Sequence, residues 1–189
     1  MNELRKLWFL LDNNDVQLRT KYIRSAANIW ADGLSRESDD SDWQLNPSLF
    51  RQLDSTWGPH SIDRFAAQSN AQLPRYNSKW LDPGTEAVDS LHLPDFQWQT
   101  ETNWCNPPWE LLDDLVLKLR SSGAAATVIA PHWPGRPWFQ QLTELAVEAT
   151  VYPPSFDLFF PWQRGKHAGV GAAGWSVSAF RIPHRPGST

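Results

Sequence analysis

One cysteine, Cys105, is all that the 189 residues contain. A lone cysteine excludes a disulfide framework and a cysteine-based zinc site, and it fits a reducing compartment. No apolar run approaches the roughly 20 residues of a membrane helix, and no signal-peptide pattern opens the chain. The sequence therefore predicts an intracellular protein, cytoplasmic or nuclear, with no membrane partner. The five histidines lack metal-ligand spacing. No Ser-His-Asp or Cys-His arrangement stands out, and there is no internal repeat. Basic charge is short as well: 17 Lys/Arg face 21 Asp/Glu, a net charge of −4. The chain as a whole is no electrostatic binder of nucleic acid. Any such contact has to come from a local patch or from a larger assembly.

What is present points to a globular protein. Hydrophobic residues make up 41% and charged residues 20%, which excludes a disordered tail. Tryptophan is abundant at 12 and proline at 15. Indole rings serve stacking on bases or sugars, but most are expected in the core. Charge is uneven along the chain. Residues 1–36 hold six Lys/Arg against four Asp/Glu, residues 37–154 seven against 16, and residues 155–189 four against one. Arg164, Lys166, His167, Arg181, His184 and Arg185 make the end basic, for phosphate contact or as a solvated tail.

Residues 3–12 read as a helix ended by Asn13 and Asn14, 16–23 as a strand and 28–34 as a helix. The acidic, Ser-rich stretch 37–42 reads as a linker. A second unit starts near Trp43. The pattern predicts a helix over 47–53 with Pro47 in its first turn, a strand over 61–66, a loop over 68–87 and a short strand at Trp104-Cys105. The clearest helix is 110–122, with an apolar stripe of Leu111, Leu112, Leu115, Val116 and Leu119 and a stop at Gly123. Residues 124–130 read as a strand buried on both faces, 137–149 as a helix, 150–152 as a strand and 174–182 as a last strand. This succession predicts a doubly wound α/β sheet.

Asn106-Pro107-Pro108-Trp109 falls where a strand ends and a helix begins. Ligands of open α/β sheets bind outside the carboxyl ends of strands. The amine of a nucleobase is a poor nucleophile because its lone pair is delocalised into the ring. The Asn side-chain oxygen and a Pro carbonyl can each accept one N–H from it. That favours a tetrahedral nitrogen and frees the lone pair. Two prolines hold the acceptors rigidly, and an indole offers a face for an extruded base. The same tetrapeptide also serves simply to break a strand and open a helix.

From about Trp57 to Leu142 the chain resembles the small, phage-type Dam-like adenine-N6 methyltransferases. The resemblance is carried by Trp57-Gly58-Pro59-His60-Ser61-Ile62-Asp63-Arg64-Phe65-Ala66, Asn70-Ala71, Tyr76, Val88-Asp89-Ser90-Leu91, Trp98, Cys105-Asn106-Pro107-Pro108-Trp109, Ala130-Pro131 and Trp138-Phe139. It implies a Rossmann-like methyltransferase sheet with flanking helices and S-adenosylmethionine as cofactor. By that resemblance Asp63, Phe65, Ala66 and Asn70 lie at the cofactor and Asp89 faces its adenosine part. Asn106, Pro107, Pro108 and Trp109 would form the catalytic motif that holds the target adenine of a nucleic acid, with DNA favoured over RNA and both left open by the sequence. Two departures stand out. No Phe-x-Gly-x-Gly turn follows a first strand, and the motif's aromatic is Trp rather than Tyr or Phe. No target-recognition insert is evident.

Residues 22–36, with Asn28, Ala31, Asp32, Leu34, Ser35 and Arg36, resemble the end of the ribonuclease H domain of retroelement reverse transcriptases. Asp32 would be the last of four carboxylates holding two Mg²⁺ ions there. The other three are absent, so no ribonuclease H activity is expected. The two resemblances in succession are similar to a stretch of a DIRS-like retrotransposon polyprotein, and the start at Met1 is expected to mark a truncated copy or a fragmentary gene model. The expected organisation is a ribonuclease H-like remnant over 1–36, a linker over 37–42, a methyltransferase domain over 43–182 and a tail over 183–189. Nucleic acid and other parts of the polyprotein are the implied partners. The alternative is an inactive module that keeps the fold and binds nucleic acid or serves a structural role.

Overall fold

The computed structural model describes residues 43–155, 158–161 and 175–185, which belong to one compact unit. Asp32, the elements expected over 1–36, the linker 37–42 and positions 164, 166, 167, 186 and 187 lie outside the described residues.

Strand β1 (Trp43–Leu45) pairs antiparallel with β8 (Phe159–Pro161). Asn46 then starts helix α1 (Pro47–Trp57), its side chain accepting from Ser48 N at 2.8 Å. Proline in the first turn needs no N–H partner, so the two signals agree. Phe50, Leu53 and Trp57 lie buried on one face, at helical spacing. Trp57 prolongs that stripe, so the helix runs one turn past the expected end at Leu53.

The central sheet is mostly parallel. Strand β2 (Ile62–Asp63) pairs parallel with β5 (Asn103–Cys105), and β5 pairs parallel with β6 (Ala126–Pro131). Strand β9 (Val177–Ile182) is antiparallel to β6 and to β7 (Glu148–Tyr152), the outermost strand. Within the expected 68–87 loop and at its end, β3 (Asn77–Ser78) and β4 (Ala87–Val88) form a small parallel pair. A parallel bridge between Asp63 and Tyr76 sets that pair beside β2. The order across the molecule is therefore β4, β3, β2, β5, β6, β9, β7.

Helices cover both faces. Helix α2 (Asp95–Gln99), helix α3 (Leu112–Ser122) and helix α4 (Pro137–Leu145) pack on one, and α1 with β1 and β8 on the other. Strand residues alternate between the layers. Cys105, Ala126, Val128, Ala130, Phe180 and Ile182 face α3 and α4, whereas Trp104, Ile129, Val177 and Ala179 face α1. All six residues of β6 are buried, as its unbroken apolar run predicts.

Two expectations move. Residues 109–111 form a 3-10 turn before α3, so the regular helix starts at Leu112. Helix α4 stops at Leu145 rather than 149. Ala146 is extended, and Glu148 and Ala149 pair with Arg181 and Phe180 of β9. Both are good helix formers, and the sheet overrides their propensity.

Candidate functional site

Parallel strands put their carboxyl ends on one edge. There the chain leaves β2 at Asp63, β3 at Ser78, β5 at Cys105 and β6 at Pro131. Chain order reverses between β2 and β5: β2 leads outward to β3, while β5 leads the other way to β6. Ligands of open α/β sheets bind at such a switch point, where the two connections diverge. The segments from residue 63 and from residue 106 leave the sheet on its two sides.

Asp63 is buried, 3% exposed. Its carboxylate accepts from Phe65 N at 3.4 Å and Gln72 N at 3.1 Å. Burial pushes its pKa up from 3.8 to about 6, against the pull of those two bonds. Arg64 does not pair with it. That guanidinium, also buried, donates to Asn103 Oδ1 at 2.7 Å, Asn77 Oδ1 at 2.7 Å and Gln97 O at 2.6 Å, and lies 4.7 Å from the Trp98 ring. Arg64 thereby ties β2, β3, β5 and α2 together beneath the site.

Phe65 is half-buried and Ala66 buried, directly after β2. The backbone there is satisfied internally: Ala66 N donates to Asn77 O at 3.0 Å, Ala67 N to Asn70 Oδ1 at 2.7 Å and Gln68 N to Asp82 Oδ2 at 2.5 Å. Asn70 is thus a turn-closing residue. Asp89 follows β4 with φ 56°, two strands from Asp63 on the same edge. It is exposed and contacts His92 Nδ1 at 2.7 Å.

Asn106 is half-buried, Pro107 buried and Pro108 exposed. Trp109 is 38% exposed. Its ring meets Trp133 edge-on at 5.3 Å and Trp175 edge-on at 5.1 Å. The indole therefore stands in an aromatic cluster at the rim of the edge. His132 is satisfied, with Nδ1 2.9 Å from Ser178 Oγ. Two clefts lie elsewhere. One of about 360 Å³ opens by Trp57, Thr102 and Thr127 at the opposite edge, and one of about 230 Å³ lies by Arg64, Arg75 and Glu101.

Sequence reasoning missed a buried relay. His60 Nδ1 lies 2.7 Å from Asp54 Oδ1, and Nε2 lies 2.7 Å from Thr127 Oγ1. With the proton on Nδ1 facing the carboxylate, Nε2 accepts from the threonine hydroxyl. Burial lowers the His60 pKa despite Asp54, so the ring is held neutral. The pairing spans 67 positions, which no local motif reveals. It is a satisfied core network at the end of the sheet away from Asn106. Among the described residues, no group of three or more His, Cys, Asp or Glu could hold a metal ion, and no helix is long and apolar enough to cross a membrane.

In comparisons with known proteins, no family model matches the chain and no curated protein matches it.

Proposed function

We propose that the chain is a methyltransferase that moves a methyl group from S-adenosylmethionine to the N6 amine of adenine in DNA, on a Rossmann-like sheet. The single observation that carries the reading is that residues 63–66 and 106–109 lie at the carboxyl ends of adjacent strands, at the switch point. Two features fit a nucleoside-bearing cofactor. The buried Asp63 carboxylate has only two backbone donors, so it has acceptor capacity left for hydroxyl groups. Asp89 supplies a second, exposed carboxylate along the same edge.

S-adenosylmethionine supplies an electrophilic methyl on a sulfonium. The protein's part is to hold and orient. Asn106 and the Pro107 carbonyl accept the two amine hydrogens of the target base. Trp109, fixed by Trp133 and Trp175, stacks on the base from the rim. Pro107 and Pro108 limit backbone motion of the acceptors. The amine nitrogen would gain the methyl as its bond to the sulfonium sulfur breaks, leaving a neutral thioether, and the proton lost from nitrogen would pass to solvent. The parent polypeptide would be a DIRS-like retroelement product, with nucleic acid and the neighbouring polyprotein regions as partners inside the cell.

Calorimetry with S-adenosylmethionine tests the first half, and Asp63→Ala should weaken binding at least tenfold. Adenine methylation tests the second, and Asn106→Ala should lower its rate about 100-fold or more, the usual effect of losing one oriented polar group. Absence of cofactor binding by the wild-type chain would favour a second reading, a module that keeps the fold without the activity. That reading draws on the internally paired N–H groups after β2, which leave no glycine-type cradle.

A further inference from the structure

The carboxyl edge carries two further aromatic–cation pairs, one on each side of the motif. After β3, Lys79 Nζ lies 5.6 Å from the centroid of Trp80. Trp80 is 66% exposed and Leu81 71%, a large apolar surface to leave in water without a use. After β6, the Arg136 guanidinium lies 5.8 Å from the centroid of Trp133, which leans on Trp109. The order β3, β2, β5, β6 puts three strand spacings, about 14 Å, between the two pairs, with Asn106–Trp109 inside that span.

We propose that this edge is a track for an unpaired nucleic-acid strand. The proposal rests on the reading of Asn106–Trp109 as the holder of the target base, and adds how that base is presented. Flanking bases stack on Trp80 and on Trp133, and Lys79 and Arg136 meet the phosphates beside them. Stacking on an indole tolerates any base. It needs bases that are out of a helix. The charge around the motif works against a duplex. Glu110, Asp113 and Asp114 are exposed just after Trp109. Residues 37–154 have 16 acidic groups against seven basic. A duplex brings two phosphate strands and is held chiefly through many Lys/Arg contacts, whereas among the described residues the two pairs supply only Lys79 and Arg136. One strand threaded between two cations avoids most of that repulsion.

The test is fluorescence anisotropy without cofactor, using a labelled eight-nucleotide strand with one central adenine and the same sequence annealed to its complement. The single strand should bind at least tenfold more tightly than the duplex. Trp80→Ala and Arg136→Gln should each weaken single-strand binding about fivefold or more, while Leu117→Ala, on the exposed side of α3, should not. Equal or tighter duplex binding overturns the proposal, as does binding unchanged in both Trp80→Ala and Arg136→Gln. Because no cofactor is present, failed methyl transfer with intact strand binding would count against the enzymatic reading alone. Transfer to free adenosine with no dependence on Trp80 or Arg136 and no strand binding would count against the track alone.

Discussion

Asp63 and Arg64 are consecutive, buried and oppositely charged, yet they do not neutralise each other. In an extended segment neighbouring side chains point to opposite faces. Arg64 is satisfied on one side by carbonyl oxygens, and Asp63 is left on the other with two N–H donors. The consequence can be measured. The folded chain holds the Asp63 proton up to about pH 6, while the unfolded chain releases it near 3.8. Stability from this group is therefore fully present below about pH 4 and lost as pH rises through 6, a loss of about 3 kcal/mol. Urea unfolding at pH 4 and pH 8 should show the wild type losing that much more than Asp63→Asn. Identical pH profiles would mean that the carboxylate is not desolvated. Asp63 was legible in the sequence as part of a strand over 61–66, which the structure ends at Asp63 itself. Its isolation from Arg64 was not, because the Arg64 partners lie up to 39 positions away.

At the level of the element, α3 is where local signals and structure agree best. Leu112, Leu115, Val116 and Leu119 of its expected stripe are buried, while Leu111 falls in the preceding turn and is half-buried; Asp113 and Asp114 sit in the first turn, and Arg120 lies in the last. Gly123 ends it in the left-handed region at φ 64°. A side chain there meets a second obstacle, since a Cβ would lie 2.2 Å from Arg185 O. Arg185 N also donates to Gly123 O at 2.8 Å, tying the helix end to the residues after β9. Gly123→Ala should thus destabilise by about 2 kcal/mol or more, combining left-handed strain with the clash. Chemical denaturation would check it, and a loss under about 0.5 kcal/mol would mean that the contact relaxes freely. The glycine was readable as a stop, but the Arg185 contact was not, since it comes from the far end of the chain. The β3–β4 pair was also hidden. Strands of two residues carry no periodicity, and they lie in a stretch rich in turn formers.

For the molecule as a whole, the sequence carried the alternation of strands and helices and the position of Asn106–Trp109 at a strand–helix junction. What it did not carry was strand order. The switch between β2 and β5 depends on the parallel bridge from Asp63 to Tyr76 and on the pairing of Ile62 with Asn103, both set by tertiary packing. The aromatic row followed from the same order. Trp80, Trp109, Trp133 and Trp175 are scattered over 96 residues and meet one edge only because their strands are neighbours. The expectation that most tryptophans pack inside holds for Trp57, Trp98, Trp104 and Trp138, while Trp80 and Trp109 stay at the surface.

Strand β9 separates β6 from β7 and hydrogen-bonds to both, although it follows both in the chain. A ribosome releases β6 and β7 well before residues 177–182 emerge. Until then the emerging polypeptide has a gap in its middle, with the β6 backbone unpaired along one side and β7 without any neighbour. A version ending at residue 174 should remain in that open state, bind hydrophobic dyes and associate with itself through the bare β6 edge, where the full chain does not. Closure of the sheet therefore waits until residues 177–182 have left the ribosome.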